Sequence, residues 1–135
     1  MKNLLECYGP LTNEQGVQSG VVLRTKGLWS SPFGLLTNDD LRFLIDQELG
    51  LEHTIPVALD RLADNPLNSG DSYVGDLLVA IINVPHSFWL AHPELNDRVA
   101  DFSPRLESVL RRLQDEIVPI LERWEYSKRV PRGIE

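Results

Sequence analysis

The chain is 135 residues long, 42% hydrophobic, and carries a net charge of −7, so it holds enough apolar material for one buried core without disulfides or metal. Its acidity argues against direct binding of nucleic acid or an anionic membrane, because each needs a basic footprint. Cys7 is the single cysteine, which rules out an intramolecular disulfide, and no His or second Cys stands near it to build a metal site. Met1-Lys2-Asn3-Leu4-Leu5-Glu6 lacks the apolar run of a signal peptide, and no stretch reaches the roughly 20 apolar residues of a membrane span. The expectation is a cytoplasmic protein without cofactor, neither exported by that route nor embedded.

Gly9-Pro10, Gly16, Gly20, Gly27 and Ser30-Ser31-Pro32-Phe33-Gly34 interrupt residues 1–36, which are expected to be irregular or weakly structured. Residues 17–26 fit a short helix or, through Val21-Val22-Leu23, a strand. From Thr37 the pattern sharpens. Thr37 and Asp40 have the spacing of a helix cap, and Leu41, Leu44, Ile45 and Leu49 recur at helical spacing until Gly50. Pro56 suits a first helical turn, with Ile55, Ala58, Leu59 and Leu62 forming a stripe that ends at Asn65-Pro66. Residues 66–72 are turn chemistry, and Leu77, Leu78, Ile81 and Ile82 predict a third helix stopped before Pro85. Short helical pieces follow at Ser87 and Pro93.

Ser103-Pro104 opens the longest element, in which Leu106, Val109, Leu110, Leu113, Ile117, Ile120, Leu121 and Trp124 hold helical spacing. Pro119 removes one backbone hydrogen bond at about 3 kcal/mol, while each buried large apolar side chain returns about 1.5–3 kcal/mol. A kink near residues 115–119 is therefore expected, not a break. The pattern predicts an all-α fold: a single compact domain over residues 1–126, with five or six helices and a long, Pro-kinked C-terminal helix. Residues 127–135 read as a flexible basic tail.

No catalytic motif joins His53, His86 and His92, which read as capping or surface residues, and neither a phosphate-binding Gly-rich loop nor HExxH is present. An enzyme would need one of these histidines to meet carboxylates in a cleft. Residues 65–76 place Gly70 and Asp76 as a calcium loop would, yet Asn65, Leu67 and Ser69 occupy positions that need carboxylates. Asp71 and Asp76 fit better as caps of the turn and the next helix. Trp29, Trp89 and Trp124 are core candidates, with Trp29 the most exposed of the three. Tyr73 sits on a loop where it can supply both apolar contact and a hydroxyl.

Charge is unevenly distributed. Residues 37–102 hold twelve acids against three bases, a net −9, while each flank is +1. Such a block is either a solvated surface or one shaped to meet a basic partner.

The run Thr37-Asn38-Asp39-Asp40-Leu41-Arg42-Phe43-Leu44-Ile45 is followed by Gln47, Gly50-Leu51-Glu52, Pro56-Val57-Ala58-Leu59 and Asn65-Pro66-Leu67. After these come Gly70-Asp71-Ser72-Tyr73-Val74-Gly75-Asp76-Leu77-Leu78 and Phe88-Trp89-Leu90. In this order the motifs resemble the CdiI immunity proteins of contact-dependent growth inhibition. Asp46 stands where that family often has glycine, and residues 1–36 resemble it only around Tyr8-Gly9-Pro10. The resemblance implies a mainly helical, non-enzymatic cytosolic inhibitor. Its implied partner is the C-terminal toxin domain of a matching CdiA effector, bound 1:1 and commonly a nuclease, often an RNase. An acidic surface can occupy the basic cleft of such a toxin. The candidate contact residues are Asp39, Asp46, Glu48, Glu52, Asp60, Asp64, Asp71, Tyr73 and Asp76, chosen as exposed acids or loop aromatics. The competing reading is a self-assembling scaffold that dimerises through the helix at 104–125.

Overall fold

A computed structural model describes residues 2–11 and 19–133, with side chains through residue 125. The described residues form helices and connecting turns, with no strand among them. This is the all-α fold expected, ending in a long bent helix. The chain divides into two compact units, residues 1–99 and 100–135.

The first unit begins with α1 (Leu4–Tyr8) and α2 (Gly20–Trp29). Each is started by a side-chain cap: Asn3 accepts from the Glu6 N–H at 2.8 Å, and Ser19 from the Val22 N–H at 3.1 Å. The Ser19 cap settles the ambiguity over residues 17–26 for its described part, which is helix and not strand. Gly20 costs little at the first helical position, where its own N–H needs no intrahelical acceptor. A single 3₁₀ turn, Phe33–Leu35, leads to α3 (Asn38–Asp46), α4 (Leu51–Asp64), α5 (Asp76–Ile82), α6 (His86–Ala91) and α7 (Pro93–Ala100).

The Thr37 hydroxyl accepts from the Asp40 N–H at 3.0 Å, and Asp40 returns the bond to the Thr37 N–H at 2.9 Å, so the cap at α3 is a reciprocal box. α3 packs against α4 and α5. Leu41, Leu44, Ile45, Ile55, Ala58, Leu59, Leu62, Leu77 and Ile81 are fully buried at this junction. Fully burying one such aliphatic side chain is worth about 1.5–3 kcal/mol, which makes the three-helix contact the stabilising centre of the unit.

The pattern misplaced two boundaries: α3 ends at Asp46, short of the Gly50 expected, and α4 begins early. α4 starts at Leu51, so Pro56 lies inside the helix and not in its first turn. Gly50 adopts a left-handed conformation, φ 60°, that starts the helix early, and the Leu4 side chain fills the space a Cβ would need there. The missing Pro56 N–H leaves the carbonyl of Glu52 without its helical donor near the exposed start of α4. The flanking stripe of buried residues outweighs that loss.

The second unit is one long helical stretch: α8 (Phe102–Arg112), a π-helical turn at Leu113–Ile117, and α9 (Val118–Gly133). The π turn falls where the kink was expected. Pro119 cannot donate to the carbonyl of Asp115 and would clash with it in a regular helix. A wider turn containing Asp115 is a standard way to absorb that misfit. α9 continues to Gly133 through most of the stretch expected to form a loose tail, residues 134–135 lying outside the described residues. Extending a formed helix adds a hydrogen bond for each residue fixed except Pro131, which has no N–H. Trp124, read as a core residue, is 55% exposed, since the helix carrying it has no second layer in its own unit.

Candidate functional site

The site is built on the N-terminus of α3 and the loop before α5. Asp39, in the first turn of α3, holds three groups at once. Its Oδ1 accepts from Arg42 Nε at 2.8 Å and from the Asp71 N–H at 2.8 Å, and its Oδ2 accepts from an Arg24 guanidinium nitrogen at 2.9 Å. Arg24 also reaches Asp40 at 3.3 Å and lies 4.4 Å over the ring of Phe43, so α2 is tied to α3 by charge and by a cation–π contact. The Arg42 hydrogen bond is the leading reason that the Asp39 carboxyl titrates far below the ordinary aspartate range, despite the opposing effect of burial. Its bond to Asp39 likewise pushes the Arg42 guanidinium up.

Asp76 fixes the other end of the loop. Its Oδ1 accepts from the Gly70 N–H at 2.6 Å, and its Oδ2 accepts from the Ser72 and Tyr73 N–H groups at 2.9 and 3.4 Å. The Ser69 hydroxyl accepts from the Gly75 N–H at 2.7 Å and donates to the Leu67 carbonyl at 2.6 Å. Gly75, with φ 88°, makes the reversal into α5 in a region that disfavours side chains. Asp76 is only 2% exposed, yet its charge is met by backbone donors and by Arg42 Nε at 3.8 Å.

The result is a loop over residues 69–75 whose backbone is bonded on both sides and whose residues 71–74 are exposed. Asp71 and Ser72 are exposed, Tyr73 is 56% exposed, and Val74 is 76% exposed. Arg42 links this loop to the far end of α3, where a second nitrogen holds the half-exposed Asp46 at 2.9 Å. Two residues later Glu48 is exposed with φ 55°, the one positive φ outside glycine among the described residues. It occupies the left-handed position that closes α3, where glycine is the usual choice.

The nine sequence candidates therefore separate. Asp39, Asp46 and Asp76 converge on Arg42, Asp71 and Tyr73 are joined to Asp39 and Asp76 through their backbone N–H groups, and Glu48 follows in the turn after α3. Asp39 and Asp76 were chosen as exposed acids, but the structure buries most of both carboxylates, because each is needed to hold loop backbone. Glu52, Asp60 and Asp64 lie on the exposed side of α4. Glu52 stands 3.9 Å from His92, itself 3.6 Å from Glu94, and Asp60 pairs with Arg98 at 2.9 Å. Val74 escaped the sequence reading, although an apolar residue between Tyr73 and Gly75 in a turn has little chance of burial. Arg24 left no such signal, since its partners are 15 and 16 residues away.

His53 accepts or donates a 3.0 Å hydrogen bond with the Tyr8 hydroxyl and stacks on Phe33, a packing role. Burial, followed by the charge of Glu52, pushes the Tyr8 hydroxyl above its ordinary pKa. His92 does meet two carboxylates, but both side chains are well exposed, at 63% and 69%. Among the described residues no group of three or more His, Cys, Asp or Glu could hold a metal ion, and no helix is long and apolar enough to cross a membrane.

What this arrangement offers chemically is recognition: an aromatic and an aliphatic side chain on a preorganised loop, bordered by carboxylates. A family model of CDI immunity proteins matches residues 8–99, and the chain belongs to that family, whose members neutralise toxins in contact-dependent growth inhibition. The matched span ends at residue 99, the last residue of the first compact unit. A search of curated proteins finds no match.

Proposed function

We propose that this protein acts in the cytoplasm, without catalysis of its own, by binding the cognate C-terminal toxin domain of a CdiA effector in a 1:1 ratio. The toxin is a nuclease, with RNase the leading kind, and the immunity protein itself does not touch nucleic acid. The observation that carries this reading is the pinned 69–75 loop. It presents Tyr73 and Val74 as an exposed apolar centre beside Asp71. Arg42 couples the loop's Asp76 anchor to Asp46, with Glu48 exposed in the turn that follows. This composition suits an interface hot spot with a charged rim. A nuclease cleft is basic because it must hold phosphates, so an acidic surface on a rigid support competes for the same ground.

The roles within the candidate set then differ. Asp71, Tyr73, Asp46 and Glu48 make contact, Asp39 and Asp76 hold the loop in shape, and Glu52, Asp60 and Asp64 add to the field that draws a basic partner in. The test is to co-express the chain with the toxin domain encoded immediately upstream, score survival, and purify the pair. Survival with a 1:1 complex supports direct neutralisation; survival with no complex overturns it.

A further inference from the structure

Arg42 meets three carboxylates with one guanidinium. Its Nε donates to Asp39 at 2.8 Å and lies 3.8 Å from Asp76, and its Nη1 donates to Asp46 at 2.9 Å. Two of these carboxylates anchor the 69–75 loop, and the third is an exposed acid at the end of α3. Asp39 Oδ1 accepts from both Arg42 Nε and the Asp71 N–H, so the guanidinium and the loop backbone are fixed on a single oxygen. Asp76 Oδ2, the atom 3.8 Å from Arg42 Nε, likewise accepts from the Ser72 and Tyr73 N–H groups.

Exposed ion pairs seldom link distant groups, because water and salt screen them. This network is more enclosed. The Arg42 side chain is 18% exposed, against 13% for Asp39 and 1% for Asp76, while Asp46, at 42%, stays within reach of a partner. The residue type matters as well. An arginine fork presents donors at fixed angles and holds its Nε and Nη1 contacts together, which the single ammonium of lysine cannot do. A partner cation that draws on Asp46 therefore acts on the same guanidinium that seats the loop carrying Tyr73.

On the reading that the loop and Asp46 meet the toxin, we propose that Arg42 is a positioning residue for toxin binding, which makes Asp46 and Tyr73 act as one unit. Contacts with no shared partner add independently to affinity, whereas residues on one ion-pair network do not. The signature of such a link is non-additivity, and a double-mutant cycle reads it.

The experiment compares dissociation constants for the toxin domain encoded immediately upstream, measured with wild type, Asp46→Ala, Tyr73→Ala and the double variant. Each single change should weaken binding, and the double variant should lose about fivefold less than the product of the two. In an Arg42→Lys background the same two changes should multiply to within about twofold. Single changes that multiply in the wild-type background overturn the proposal and leave the loop contact standing. A departure that survives undiminished in Arg42→Lys overturns the positioning role, and a lower urea midpoint for that variant would then mark Arg42 as a stabilising residue only. If neither single change weakens the complex, the toxin contact itself lies elsewhere and the proposal falls with it. The wild-type cycle decides without any Arg42 variant, so a lysine variant that failed to fold would not shelter the proposal.

Discussion

A methyl group on Gly70 would stand 2.8 Å from the Cα of Asp39 and 2.5 Å from one of its carboxylate oxygens. The loop backbone is thus seated directly on the first turn of α3, and residue 70 has to be glycine for steric reasons even though its φ is ordinary. Gly70→Ala should lower stability by about 1–3 kcal/mol, the usual range for overpacking, and weaken toxin binding with it. Urea unfolding read beside titration calorimetry checks both. An unchanged midpoint would show that the loop does not rest on α3.

Asp39 makes the acid limb of the stability curve predictable. Its folded pKa is depressed, so its contribution is fully present above the unfolded value of about 4 and is lost as pH falls from there toward the folded pKa. Asp39→Asn should cost about 2 kcal/mol at pH 7, because Arg24 and Arg42 lose a charged acceptor. The difference from wild type should shrink steadily below about pH 4. Denaturation midpoints at neutral pH and at two points on the acid limb measure it, and a constant gap would contradict the role given to this carboxylate.

Tyr73→Ala and Val74→Ala remove side chains that the fold leaves in water. Stability should stay within about 0.5 kcal/mol of wild type. Toxin affinity should fall at least tenfold for each, chiefly through faster dissociation. Surface plasmon resonance separates the two rates, and an unaltered off-rate for both variants would move the contact away from this loop.

Asp60 and Asp64 predict the opposite signature. If they act through the field of the surface, Asp60→Asn with Asp64→Asn should slow association about two- to fivefold and leave dissociation alone. The wild-type on-rate should itself fall as salt rises, because steering is screened beyond about 10 Å at 0.1 M ionic strength. An on-rate indifferent to salt would count against a basic partner.

Glu48 holds a backbone conformation that costs a side chain about 1–2 kcal/mol, a cost that glycine would avoid while giving back part of the gain in chain entropy. Glu48→Gly should therefore stabilise the protein by about 0.5 kcal/mol in thermal unfolding while weakening the toxin complex. Gain of stability with affinity intact would identify Glu48 as a plain helix terminator.

The legible part of the sequence was the part governed by local spacing. Thr37 and Asp40 announced the box that starts α3, and the apolar period that runs on through Leu77, Leu78 and Ile81 announced the packed helices, so residues 37–82 were read with little loss. Pro119 located the irregular turn in the last helix. Residues 2–11 and 19–36 were opaque because their order depends on distant partners: Arg24 on Asp39, and Leu4 on Gly50. The same distance explains the candidate site. Nothing near Asp39 in sequence separates it from the exposed acids Asp60 and Asp64, since the Asp71 N–H it serves lies 32 residues away, whereas Asp76 was legible as a cap and only its burial was not.

The way the 69–75 loop is held bears on how such a protein changes partners. Its form rests on backbone N–H groups at residues 70 to 73 and on two carboxylates outside the exposed stretch. Asp71, Ser72, Tyr73 and Val74 contribute their main chain to that form and their side chains to the outside. Any residue but proline keeps the donors at 71, 72 and 73, so these positions can be rewritten to suit a new toxin while the frame beneath them stays as it is.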